Sequence, residues 1–294
     1  MRVMVIGATG VLGVPAIQRL LTDGHEVSGL ARNPDRTAAV RDTGAKPVLG
    51  DLFDVSSLAG ALRGHDAVLN LATRIPDARA AMRRSGWAEN DRIRREGSAC
   101  LAAAVRQVDE LRTVVQEGIS FPYADGGDHE LDEDAPLRPV GVVASSVVAH
   151  ENTAALTADG RTAVRLRIGT LISGDAMTLT LLAAARRGAP LIFGSRTDWT
   201  TAIHTADAAA AAVAALGAPS GVYNVGAPPV LKQQLGEAMA AAAGISRPRA
   251  VPKWLISRFT MTEPGARSQR VVSTRLTEAT GWRPALPVPG PAWF

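Results

Sequence analysis

Apolar residues recur along the first 170 positions in two alternating rhythms: short continuous runs, and longer stretches in which they return every three or four residues. Arg2–Ile6, His25–Leu30, Pro47–Gly50, Ala67–Ala72, Arg112–Glu117 and Ala163–Ile168 are runs of strand length, and the pattern predicts six strands. Val11–Asp23, Pro34–Asp42, Ser56–Leu62, Glu89–Gln107 and Val140–Leu156 read as the helices between them. In the first of these Leu12, Ala16, Ile17, Leu20 and Leu21 fall on one face, and Gly24 ends it. Regular strand–helix alternation is joined by right-handed crossovers, so the expected fold class is α/β, a doubly wound parallel sheet covered on both faces. After residue 170 the alternation loosens. Met177–Arg187, Ala206–Leu216 and Leu231–Ala243 read as helices and Val222–Val225 as a short strand, and then prolines crowd the tail from Pro248 to Pro291.

A chain of 294 residues, 46% hydrophobic and 20% charged, has enough apolar surface for a full core. Its net charge of +4 and pI near 9.8 raise the question of nucleic acid, which the distribution of charge answers. All but three of the 32 basic residues are arginine; several gather between Arg79 and Arg95, while Asp125 to Asp134 holds six carboxylates. That is a patchwork and not a basic stripe. Aromatic residues make up only 4% and do not alternate with the arginines, so the pattern offers no platform for stacking bases, and nucleic acid is not an expected partner. The single cysteine, Cys100, excludes an internal disulfide and gives no thiolate cluster for a metal, which suits a reducing cytoplasm. The first strand is too short for a signal-peptide core, and no apolar run approaches the roughly 20 residues that span a bilayer. A cytoplasmic protein without a membrane partner, monomeric or homodimeric, is expected.

Chemistry enters at the first turn. In Ile6-Gly7-Ala8-Thr9-Gly10-Val11-Leu12-Gly13 three glycines stand three apart, directly after an apolar strand and at the start of an amphipathic helix. Gly7 permits the tight exit from the strand, Gly10 lets backbone approach a pyrophosphate, and Gly13 allows close helix-to-strand packing, with the helix N-terminus aimed at the anion. The turn reads as a dinucleotide cradle formed by Gly7, Thr9, Gly10, Val11, Leu12 and Gly13. The second strand ends in Leu30-Ala31-Arg32-Asn33, without the acid that usually holds a ribose diol. Arg32 stands where a guanidinium accommodates a 2'-phosphate, so NADP(H) is expected in preference to NAD(H).

Over nearly its whole length the chain resembles an extended short-chain dehydrogenase/reductase of the NAD-dependent epimerase/dehydratase type. Gly7 to Gly13 matches the family's G-x-x-G-x-x-G, Gly50-Asp51-Leu52 its adenine-contacting turn, and Leu69-Asn70-Leu71-Ala72 the strand lying along the cofactor. Ile203-His204-Thr205-Ala206-Asp207 and Tyr223-Asn224-Val225-Gly226 resemble two late segments of the family, although His204 and Asp207 also read as caps of a helix. The resemblance implies that Asp51, Leu52, Leu71, Ala72, Thr73 and Val147 complete the nucleotide site. It also implies a Rossmann domain over 1–170, with 197–220 returning to it, and a small substrate-binding cap from 171–196 and 221–294.

The family's reductases use a tyrosine as acid or base and a lysine four residues on to lower the tyrosine's pKa. This chain cannot supply that pair. Its two tyrosines, Tyr123 and Tyr223, are followed four residues later by Gly127 and Ala227, and aligning Ser146 to Glu151 on the family's pattern puts Val143 and Val147 at the two catalytic positions. Glu117, Ser120 and Tyr123 follow the fifth strand and are the candidates for replacement chemistry. Each also reads as structure: a carboxylate paired to Arg167 or Arg112, a turn hydroxyl and a core aromatic. The expected function is an atypical NADP(H)-dependent oxidoreductase acting on an electrophilic or conjugated small molecule, in specialised metabolism. A redox-neutral isomerase, lyase or cyclase with the nucleotide as scaffold, and a non-catalytic NADP(H) sensor, stand as alternatives. No metal is expected.

Overall fold

A computed structural model describes residues 1–81, 83–256 and 263–294. Its centre is a seven-stranded parallel sheet of β1 (Arg2–Ile6), β2 (Glu26–Ala31), β3 (Lys46–Leu49), β4 (Ala67–Asn70), β5 (Thr113–Gln116), β6 (Thr162–Ile168) and β7 (Gly221–Val225). The spatial order is β7-β6-β5-β4-β1-β2-β3, which reverses direction at β1 and leaves a crevice above the carboxyl ends of β1 and β4. Register is parallel throughout, with Val5 opposite Gly29 on one side and Leu69 on the other. All six expected strands are present, each within a residue or two of its expected bounds.

Successive residues of β1 serve opposite faces, which is why the strand is apolar without alternation. Val3 and Val5 join one core with Ala16, Ile17 and Leu20 of α1 (Gly13–Thr22), while Met4 and Ile6 join another with Leu58 and Leu62. Helix α2 is Thr37–Arg41, and Leu58 and Leu62 belong to α3 (Val55–Leu62). On the Met4 side α4 (Ser98–Val105) packs against α3, and α5 (Ala144–Ala154) packs against α4. Beyond these come α6 (Ala176–Arg186), α7 (Thr205–Ala214), α8 (Lys232–Ala243) and α9 (Thr274–Thr280). Helix α7 packs on α1, and α6 on α8.

Two expectations about organisation change. The strand at Gly221–Val225, grouped with the cap on sequence, is the edge of the main sheet, paired with β6 from Gly221 opposite Val164 to Val225 opposite Ile168. The proline-rich tail does not form only a cap. Both carboxylate oxygens of Asp207 accept backbone amides of the tail, Ala285 and Leu286, each at 2.9 Å, which fastens the tail to α7. His204 caps the same helix, accepting from the Ala206 amide at 3.3 Å.

Candidate active site

The glycine turn has the geometry its spacing implies. Gly7 sits at φ +84°, and a Cβ there would lie 2.8 Å from the Ala72 nitrogen, so β1 and the segment after β4 approach more closely than any side chain permits. A Cβ on Gly13 would overlap the Gly7 carbonyl. The Gly10 amide donates to that carbonyl at 2.9 Å, and Val14 donates to the Gly10 carbonyl at 3.1 Å. Thr9, Gly10 and Val11 are exposed on the rim, and the first turn of α1 carries neither an acidic residue nor a capping side chain. An uncapped helix N-terminus beside an open glycine turn fits a dinucleotide pyrophosphate.

Arg32 is exposed at the first position after β2 and forms no ion pair among the described residues; Asn33 beside it caps the following turn through the Arg36 amide at 3.2 Å. Asp51 is exposed after β3, one carboxylate oxygen accepting the Phe53 amide at 2.9 Å. Leu52 is buried against Gly97. Leu71 donates to the Ile6 carbonyl at 2.9 Å, Ala72 covers Gly7, and Thr73 opens to solvent. The cradle and the end of β4 thus form one surface.

A polar chain runs from there to β5. Asn70 donates to the Gln116 side chain at 2.8 Å, Gln116 to the Glu117 carbonyl at 2.9 Å, and the Glu117 amide to the Asn70 carbonyl at 2.9 Å. The Ile119 amide then donates to Ser146 Oγ at 3.2 Å, tying the end of β5 to α5 beside Val147. Val143 is buried at the entry to α5 and Val147 is half-buried one turn later. These are the two apolar side chains that the sequence pattern sets against the acid–base pair of the family's reductases.

The three replacement candidates are all buried. Glu117 accepts from Arg94 Nε at 3.1 Å and from Arg94 Nη2 at 3.0 Å, a bidentate pair with both side chains almost entirely out of solvent. Its partner is Arg94, not Arg167 or Arg112, and with both oxygens engaged it has the surroundings of a structural ion pair. Ser120 is held by its amide to the Ile168 carbonyl at 2.9 Å. Tyr123 is fully buried; its hydroxyl donates to Asn224 Oδ1 at 2.8 Å and accepts from Arg167 Nη1 at 2.6 Å, and burial pushes the phenol's pKa up. Its environment is that of a core aromatic.

Sequence reading missed Arg94, although a signal exists. Asn90, Arg94, Gly97, Ser98, Leu101 and Val105 form the buried stripe of their helix, so a guanidinium at an apolar register position requires a buried acceptor. A turn of π-helix, Ile93–Gly97, carries it. Among the described residues no three or more His, Cys, Asp or Glu side chains are placed to hold a metal ion, and no helix is long and apolar enough to cross a membrane.

A parallel sheet with its switch point at β1, a glycine cradle that no Cβ could enter and a helix N-terminus above it define a Rossmann-type enzyme that binds a nicotinamide nucleotide. The chain belongs to the NAD dependent epimerase/dehydratase family, whose profile matches residues 3–226. A Streptomyces protein named 3-diazoavenalumate denitrifying reductase is 32% identical over 98% of this chain and 97% of its own. The crystal structure of human epimerase family protein SDR39U1 (isoform 2) with NADPH superposes with a TM-score of 0.81 at 26% identity, covering 100% of this chain and 98% of that one. The UDP-glucose 4-epimerase of Thermus thermophilus, in complex with NAD, shares the fold at a TM-score of 0.73 and 22% identity, over 97% of this chain and 94% of its own.

Proposed function

We propose that the chain is an NADPH-dependent reductase of a small, strongly electrophilic molecule that accepts hydride without a proton from the protein. The observation that carries this reading is the pair of valines at positions 143 and 147, with Tyr123 sealed in the core and Glu117 engaged by Arg94. Loss of a general acid removes about 10²- to 10⁴-fold from a carbonyl reduction, so the electronics of the substrate must supply what the protein lacks. When bound, the reduced nicotinamide supplies hydride, and an acceptor such as a diazonium cation, which leaves as arene and dinitrogen, balances that transfer with no proton added. The name of the Streptomyces relative, a reductase that removes nitrogen from a diazo compound, supports an acceptor of this class.

The chain's own residues then bind, orient and exclude water. Gly7 to Gly13 and the N-terminus of α1 hold the pyrophosphate, Arg32 the 2'-phosphate and Asp51 the adenine amine, while Leu71 to Thr73 flank the nicotinamide side. The human relative's NADPH supports the phosphate assignment. Val143 and Val147 keep donors and water from the reacting atoms, and the Arg94–Glu117 pair fixes the end of β5 while adding no net charge. Residues 1–170 with 197–225 form the nucleotide half, and 171–196 with the remaining C-terminal residues shape the substrate side.

Incubation with 4-deuterated NADPH and candidate electrophiles tests the reading, with deuterium expected in the product. The same valines also suit a redox-neutral lyase or isomerase, and turnover with unchanged nucleotide would establish that alternative. Absence of NADP(H) and NAD(H) binding by calorimetry would remove both.

A further inference from the structure

Between α5 and the strands β6 and β7 lies a cavity of about 240 Å³ that the nucleotide cradle does not include. Arg165 and Arg167 stand two apart on β6 and therefore project from one face of the sheet into this space. Arg165 is half-buried, and its Nε donates to the Gly221 carbonyl at 3.3 Å. Arg167 is 9% exposed; its Nη1 donates to the Tyr123 hydroxyl and to the Glu133 carbonyl at 2.9 Å. Every one of these acceptors is neutral. Among the described residues neither arginine enters an ion pair.

Buried charges are ordinarily paired, and two guanidinium groups side by side without a carboxylate are costly. Burial and the neighbouring Arg167 both lower the pKa of Arg165. His150, on the same wall, contributes no compensation, and Glu151, the one carboxylate that borders the cavity among the described residues, is exposed. Ile119, Val147 and Val222 contribute to a mostly apolar remaining wall, in which Ser146 is polar. Among the described residues Arg165 Nη1 and Nη2 and Arg167 Nε and Nη2 lack a protein acceptor, and none of the four is closed off from solvent.

We propose that this cavity binds the carboxylate of a small organic acid with an apolar, ring-sized body: the free guanidinium nitrogens of Arg165 and Arg167 receive the carboxylate, and Ile119, Val147 and Val222 receive the body. The paired forks match a planar carboxylate, and the apolar wall selects an organic acid over a hydrated inorganic anion. The acid is either the substrate's own carboxylate or a second molecule. Val147 borders the cavity and also occupies the family's lysine position, so the two sources share the site's chemistry. The proposal does not rest on hydride transfer.

Calorimetric titration of the full chain with benzoate, benzamide and inorganic phosphate tests it. Benzoate is expected to bind saturably and benzamide not at all, because only the charged group uses both arginines. Arg165→Gln with Arg167→Gln is expected to weaken benzoate at least tenfold. Val222→Trp, which fills the cavity from the position paired with Arg165 on the neighbouring strand, is expected to weaken it comparably, and near-UV circular dichroism of each variant verifies the fold. No benzoate binding by the wild type, equal binding by the double variant or by Val222→Trp, or tighter binding of phosphate than of benzoate would each overturn the proposal. With NADPH present, a nuclear Overhauser effect between benzoate and nicotinamide H4 identifies the acid as substrate; bound benzoate without it identifies a second ligand.

Discussion

Tyr123 and Glu117 show how neighbours decide what a residue does. A phenol and a carboxylate just after a Rossmann strand are plausible acids and bases by type, yet one is fixed between Asn224 and Arg167 and the other holds Arg94 with both oxygens. Tyr123→Phe is therefore expected to leave turnover unchanged while costing about 1–3 kcal/mol in chemical denaturation, since it strips a buried acceptor from Arg167. A large loss of turnover at unchanged stability would instead return the phenol to the chemistry. Glu117→Gln leaves a guanidinium buried without its counter-charge, for an expected loss of about 3–5 kcal/mol. Arg32 is the opposite case, exposed and without an ion pair among the described residues. Arg32→Ala is expected to weaken NADPH at least tenfold in calorimetry while changing NADH little, and equal weakening would dismiss the phosphate contact.

At the scale of elements, sequence was most informative where one stretch carries its own periodicity. Strands β1 to β6 and the helices between them lie close to their expected positions because each is buried continuously, and a turn such as Gly7 to Gly13 is built from residues adjacent in the chain. Segments whose partners are remote were less legible. Strand β7 carries no local mark of the sheet it joins, and the tail is held by a side chain 78 residues away, Asp207 to the Ala285 amide. Asp207 is 5% exposed and caps nothing on its own helix through these bonds. Asp207→Ala removes two charge-assisted bonds, so it is expected to cost about 2–4 kcal/mol and to raise hydrogen exchange selectively at 285–294. Uniform exchange across the sheet would show that the tail is fastened elsewhere.

At the scale of the molecule, packing sets the response to acid. Burial, together with Arg167, Arg165 and Arg94, lowers the pKa of His150 from 6.5 to about 3. Below pH 6.5 the unfolded chain takes up a proton at this position that the folded chain refuses until about pH 3. Stability is thus unaffected by His150 above pH 6.5 and falls across that window, by about 1.4 kcal/mol per unit well inside it. Denaturant titrations between about pH 7 and 4 are expected to show a shallower decline for His150→Gln than for the wild type; parallel curves would contradict the burial argument. The ring fits only because position 118 is glycine, where a Cβ would collide with it. That collision shows where sequence ends and tertiary structure begins. The alternation of strand and helix, the glycine cradle and the absence of a Tyr–Lys pair are fixed by residues close together in the chain, because hydrogen-bond ladders and turn geometry are local or repeat. Which charges meet is not local: Arg94 finds Glu117 and Arg167 finds Tyr123 across separations of 23 and 44 residues, while among the described residues Arg165 and Arg167 find no carboxylate. Only packing on the completed sheet decides those pairings, because a buried charge is governed by the dielectric and the donors that the whole fold places around it.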